Sequence, residues 1–233
     1  HFGIEVGKIK SAVFKPEVDV DARRFIFKRV KDAAASRGLN VMFARVGLND
    51  PLSIHSLEKE GGILTDVLLT FHIDLKREFM HARPLAEIEV CQARDADEQA
   101  LRKMAREIFE IDHFHSDPYL PRDKCDELYA KWISSCLNGL VDTVLVARRK
   151  GKPVGFITCK VEVIGDGYSY GVIDLMGVEK KHERKGIGSF LVAESLRWFS
   201  NHTKSVYVGT QAANIPAAIP VSYTHLRAHE TVL

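Results

Sequence analysis

Residues 183–189 read Glu-Arg-Lys-Gly-Ile-Gly-Ser, between an apolar run at 172–178 and a helical pattern that puts Phe190, Leu191 and Leu196 on one face. A strand, a polar glycine-bearing turn and a helix start are expected in that order. Gly186 and Gly188 let the backbone come close to a ligand. The first N–H groups of a helix have no intrahelical acceptor, and the helix dipole adds about half a positive charge there. The result is an anion site suited to a pyrophosphate, and Arg184 and Lys185 add two cations to the same turn. A dinucleotide-binding GxGxxG needs a third glycine where Leu191 stands, and the P-loop spacing is absent.

A second polar cluster lies at 112–119: Asp112, His113, Phe114, His115, Asp117 and Tyr119. Phe114 and Tyr119 could stack on a ring, and His113 or His115 could contact a sugar or an amine. Aromatic residues that only pin a loop, and a solvated loop, read equally from the same residues. Cys91, Cys125, Cys136 and Cys159 form no CxxC pair and match no zinc spacing, so no metal is expected and the thiols read as free, in a reducing cytoplasm. No activated nucleophile stands out. Asp174 is a candidate proton relay, against a purely structural role.

The elements that position these residues fall in two runs. Residues 1–75 read as strand, helix, strand, helix, strand. The first helix, 21–37, takes its period from Phe25, Val30 and Ala34, and the second is capped by Ser53. This order predicts a small α/β module. Residues 76–86 are charged, hold Pro84 and read as a linker. From 87 the pattern restarts: a strand, a helix capped by Asp95, the polar loop, a helix over 123–136 with Leu128, Trp132 and Ile133 inward, three strands, the helix after Gly186, and a strand at 205–210. The third strand is expected over 170–179. Asn214 is placed to cap a following helix, with Pro216 in its first turn.

The chain has 233 residues and a net charge of +2, with 45% hydrophobic and 27% charged residues. That supports a core of one large or two small domains. It gives no general pull toward nucleic acid or membrane, and no apolar run reaches the length of a span.

The run Glu183-Arg184-Lys185-Gly186-Ile187-Gly188 resembles the shared motif of the GNAT N-acetyltransferase family, [Arg/Gln]-x-x-Gly-x-[Gly/Ala], with Glu183 departing from its first position. The strand 172–178 before it and the run Val206 to Ala217 after it match the same family, which splays that strand from the next; the resemblance implies a bulge at Gly177. The resemblance covers residues 87–220 as one GNAT domain, an α/β fold with a mixed central sheet flanked by helices. Residues 1–75 look like a partial copy of that fold. The resemblance implies acetyl-CoA as donor. Its pyrophosphate would lie on Arg184, Lys185, Gly186, Ile187, Gly188 and Ser189. Its pantetheine arm would pair with Met176 and Val178, beside Asn214. The Val178 N–H would stabilise the oxyanion as the amine attacks the thioester directly.

The family's general-acid tyrosine falls at Val221, so that acid is not assigned. Residues 221–233, including Tyr223, resemble sequencing-adapter read-through rather than the end of the domain, which implies a truncated and impaired enzyme. The pairing of modules, and the run from Phe114 to Trp132, is similar to the dTDP-fucosamine acetyltransferase group. A small-molecule amine on a nucleotide-linked amino sugar is therefore the expected acceptor, with Phe114, His115 and Tyr119 as its contacts. A peptide or protein N-terminal amine, and a non-catalytic acyl-CoA-binding module, stay open. So does assembly as a homodimer.

Overall fold

The computed structural model describes residues 5–9, 14–75, 84–165 and 167–215. Residues 216–233, with Pro216 and the stretch 221–233 that resembles adapter read-through, lie outside the described residues, as does most of the expected linker.

The first run has the expected order: β1 Val6–Ile9, α1 Val20–Ala35, β2 Val41–Ala44, α2 Pro51–Lys59 and β3 Leu68–Asp74. Asp19 caps α1 by accepting the Ala22 N–H at 2.8 Å. The buried face of α1 carries Arg23, Phe27 and Ala34, whereas Phe25 is 62% exposed and Val30 is exposed too. Polar anchoring overrides the apolar period here. Arg23 is buried because it donates to Ser53 Oγ at 2.9 Å and pairs with Asp50, which ties α1 to α2. Asp50, not Ser53, caps α2, with Pro51 in its first turn.

β1 and β2 pair in parallel as a two-stranded sheet. β3 does not join them. It pairs antiparallel with β9 (Ser205–Gln211), from Leu68 opposite Gln211 to Asp74 opposite Ser205. The main sheet therefore includes a strand from the first 75 residues. Its order is β3, β9, β7 (Tyr168–Ile173), β6 (Lys152–Ile164), β5 (Thr143–Arg149), β4 (Ile88–Gln92), with β8 (Met176–Val178) also on β6. β7 and β9 run parallel and the other neighbours antiparallel, so the sheet is mixed.

Both faces of this sheet are covered. On one lies α5 (Ile187–Ser200), which buries Leu191, Leu196 and Phe199 against Ile157, Val206 and Phe71. On the other lie α3 (Glu98–Ile108) and α4 (Arg122–Ser135). They bury Leu101, Met104, Ala105, Tyr129 and Ile133 against Phe156 and Leu175. Asp97, in the turn before α3, accepts the Arg94 N–H at 2.8 Å and also takes the Arg148 guanidinium of β5 at 2.9 Å. One carboxylate thus closes the helix start and fastens it to the sheet. Leu128 and Trp132 are half-buried, while the fully turned-in side of α4 runs through Cys125, Tyr129 and Ile133. Gly139, at φ 95°, ends that helical stretch.

Candidate active site

Gly186 stands in the left-handed region at φ 81° and opens α5, and the first intrahelical bond is Phe190 N–H to Gly186 O at 3.0 Å. Among the described residues no side chain caps this end. The N–H groups of Gly186, Ile187, Gly188 and Ser189 thus belong to the set that a helix leaves without an internal acceptor. Ile187 is buried and anchors the turn, while Arg184, Lys185 and Gly186 are exposed. Arg184 also has a positive φ, 57°, uncommon outside glycine. Lys185 Nζ donates to the Lys181 carbonyl at 2.7 Å.

The expected single strand over 170–179 is broken in two. Lys160 of β6 faces Val172, and Ile157 faces Met176, so three steps along β6 match four along the other strand. One residue is extra, and the bulge sits at Asp174 and Leu175. Thr158 locks it: its N–H donates to Leu175 O, and its Oγ1 accepts the Leu175 N–H, both at 2.9 Å. Gly177 is not the bulge, because it pairs regularly with Phe156. It is glycine because α3 presses on it. A Cβ there would lie 1.9 Å from Ile108 Cδ1.

Beyond the bulge the sheet opens. β7 and β9 pair through Gly171–Val206, Val172–Tyr207 and Ile173–Val208. Among the described residues Gly209, Thr210 and Gln211 then pair only with β3. On the other side of the gap, Glu179 N–H bonds Val154 O and Thr158 N–H bonds Leu175 O. By antiparallel alternation Gly177 also turns its backbone toward β6, and Met176 and Val178 turn theirs away, into the gap. The gap between β8 and the end of β9 is a wedge lined on one side by unpaired strand edge. Asp174 is exposed at the bulge itself. Asn214 follows the end of β9, its N–H bonded to Gln211 O at 2.9 Å.

The loop at 112–121 is more built than its composition suggests. His115 has a side chain only 2% exposed, with Nδ1 2.5 Å from Asp112 Oδ2 and Nε2 3.0 Å from Asp126 Oδ1. Asp112 is itself buried and accepts the N–H groups of Phe114 (2.7 Å) and His115 (3.1 Å). His115 is therefore inside the loop, between two carboxylates. Phe114 is half-buried against Phe43 of β2, with ring centroids 5.6 Å apart, and His113 meets the same ring at 5.4 Å. Burial lowers the His113 pKa. Tyr119 is 74% exposed. Among the described residues no group of three or more His, Cys, Asp or Glu is placed to hold a metal ion.

A strand edge left open beside an uncapped, two-glycine helix start is the geometry that the sequence motif implied. The model of the acetyltransferase (GNAT) family matches residues 99–219. The chain belongs to the GNAT acetyltransferase family. Enzymes of this family use acetyl-CoA as donor. The chain is similar to the spore coat polysaccharide biosynthesis protein SpsD of Bacillus subtilis, at 29% identity over 125 residues, which are 52% of this chain. It spans about 40% of the length of that relative. Among solved structures it is similar to a tandem GNAT protein from the clavulanic acid biosynthesis pathway (13% identity, TM-score 0.66, 96% of this chain and 72% of that one). It is also similar to a GNAT-family acetyltransferase from Colwellia psychrerythraea (12% identity, TM-score 0.61, 96% and 75%). These likenesses carry the mixed α/β GNAT fold.

Sequence reasoning passed over Asp126 and gave Tyr129 no role beyond its place in the run up to Trp132. Burial and the Asp112 carboxylate, to which its hydroxyl is hydrogen-bonded, push the Tyr129 phenol up. Asp126 and Tyr129 lie one helical turn apart on α4, and that period was legible.

Proposed function

We propose that the chain acetylates a primary amine with acetyl-CoA as donor, and that the acceptor is a nucleotide-linked amino sugar. The observation that carries the acetyl transfer is the wedge between β8 and β9 beside the start of α5. Arg184, Lys185 and the N–H groups of Gly186, Ile187, Gly188 and Ser189 fit the pyrophosphate. The backbone groups of Met176 and Val178 fit the pantetheine arm, with Asn214 nearby. The Val178 N–H fits the thioester carbonyl oxygen, where negative charge develops as the amine attacks.

The sugar acceptor is supported by the way the first residues pack. Val6, Val41 and Phe43 lie against Phe114, Leu120, Cys125 and Leu128, so the N-terminal strands back the loop that faces the acceptor side. That backing narrows the opening a peptide needs and adds wall for a bulky nucleotide. The similarity to a polysaccharide biosynthesis protein points the same way. The four cysteines are free, which fits work in a reducing cytoplasm.

The experiment is a panel: dTDP-linked 4-amino sugars against peptides with free N-termini, with thiol release from acetyl-CoA followed. The expected result is a higher kcat/KM for at least one nucleotide sugar than for every peptide. The reverse order would replace the sugar by a peptide amine.

A further inference from the structure

The sheet is not covered alike on its two faces where the wedge opens. A Cβ on Gly171 would lie 2.5 Å from Phe199 Cδ1, so Gly171 and Ile173 of β7 face α5, as do Val206 and Val208 of β9 and Ile73 of β3. By strand alternation Tyr168, Tyr170, Tyr207 and His72 turn to the other face. There α3 and α4 bury residues of β5, of the first half of β6 and of the bulge, and among the described residues none of β7, β9 or β3.

That open stretch carries an aromatic row across three strands. The Tyr168 and Tyr170 rings are 6.4 Å apart, Tyr170 meets Tyr207 edge to face at 5.3 Å, and Tyr207 meets His72 at 4.7 Å. Tyr168 is 52% exposed and the other three are half-buried. Carboxylates stand at both margins. Glu162 of β6 lies opposite Tyr170, and Asp74 follows His72 on the same face of β3. Lys160 is taken up by Glu162 at 2.5 Å. Aromatic rings beside carboxylates suit a ring with C–H faces, hydroxyls and an ammonium, and repel a phosphate.

The row starts at the wedge. Tyr207 adjoins Val208, which belongs to the last pair between β7 and β9, and the exposed Gly209 is the first residue past that pair, on the Tyr207 face. Two strand residues rise about 7 Å, a distance that one hexose ring spans. The start of α5 packs on the opposite face through Ile187. A donor held at that turn and a ligand on the aromatic row therefore meet at the wedge from opposite sides of the sheet.

We propose that Tyr170 and Tyr207 form the sugar subsite: the amino-sugar ring of the acceptor lies across them with its amine over Gly209, at the mouth of the wedge. His72 holds the Tyr207 ring from the β3 side and is a positioning residue. The subsite rests on the amino-sugar reading above.

The test uses the full chain, acetyl-CoA and the dTDP-linked 4-amino sugar that turns over best, with Tyr207→Phe, Tyr207→Leu and Tyr170→Leu. Each Leu variant is expected to raise the acceptor KM about tenfold, with kcat and acetyl-CoA affinity little changed, and Tyr207→Phe, which keeps the ring, to stay close to wild type. In the wild type, magnetisation transfer is expected between the sugar-ring protons and the tyrosine ring protons, and it is expected to weaken in each Leu variant. If a Leu variant does not fold, as read by its melting, the wild-type transfer decides. Its absence, or folded Leu variants with a wild-type acceptor KM, overturns the subsite and leaves amino-sugar acetylation standing. A rise in acceptor KM matched by an equal loss of acetyl-CoA affinity overturns it too, since that marks damage to the sheet. A wild-type chain that acetylates peptides but no nucleotide sugar overturns the underlying reading, and this inference with it.

Discussion

Ile173 of β7 lies beside Val208 of β9, and the pairing of the two strands ends with them. The separation is enforced from the β6 side. The extra residue at Asp174 and Leu175 turns the strand edge at the point where β9 continues along β3 instead. The opening is thus a property of the sheet, set by a bulge on one margin and a borrowed partner strand on the other.

Thr158→Val tests the lock on that bulge. It removes the hydroxyl that accepts the Leu175 N–H, at a site where Thr158 is fully buried. The expected cost is about 1–3 kcal/mol of stability. Acetyl-CoA affinity is expected to fall as well, because Met176 and Val178 follow directly. Urea unfolding and calorimetry read the two effects. A destabilised variant with full acetyl-CoA affinity would separate the bulge from the site.

His115→Ala is expected to act through stability rather than through the acceptor. Its removal strips Asp112 and Asp126 of their shared partner, and Asp112 is buried. A cost of about 1–3 kcal/mol is expected for leaving the buried Asp112 without that hydrogen-bond partner. Tyr119→Ala, at an exposed position, is expected to leave unfolding within about 0.5 kcal/mol of wild type. Thermal melts of the two variants decide this. An unchanged melt in His115→Ala, with a raised acceptor KM, would make His115 a ligand contact instead.

The Asp97–Arg148 pair carries a pH dependence. Burial raises the Asp97 carboxyl, but the Arg148 guanidinium and the Arg94 N–H outweigh it and hold it below the ordinary 3.8. A depressed carboxylate contributes fully above its unfolded value, and that contribution is lost as pH falls through the lower folded value. Stability is therefore expected to drop as pH falls below about 3.8. Asp97→Asn should be less stable at neutral pH, by about 3–5 kcal/mol, since it leaves Arg148 buried and unpaired. It should also lose the part of the acid dependence that Asp97 carries. Urea midpoints across pH check both. An unchanged acid dependence in the variant would assign it to other carboxylates.

Much of the domain after residue 87 was legible, because each element carries its own periodicity and its own stop: Gly139, Gly151 and Gly186 all stand at positive φ where a turn requires it. What was not legible depends on long-range partners. The destination of β3 is set by pairing with β9, and nothing within 68–74 distinguishes that from a place in the first sheet. The buried face of α1 is set by Arg23 reaching Asp50 and Ser53, a polar choice that an apolar period misreads. Gly177 reads as the bulge at the strand splay that the family resemblance implies, but that glycine answers to Ile108 and the bulge falls on non-glycine residues. His115 read as a surface contact because its second carboxylate, Asp126, comes from the next helix.

The reading of the wedge as the acetyl-CoA site is tested by amide chemical shifts during a titration with acetyl-CoA. Saturable changes are expected at Met176 and Val178 and at Gly186 to Ser189, in one binding event, and Gly188→Arg is expected to abolish all of them together while the rest of the spectrum stays folded. Binding that leaves those amides in place, or that survives Gly188→Arg with its affinity intact, would contradict it.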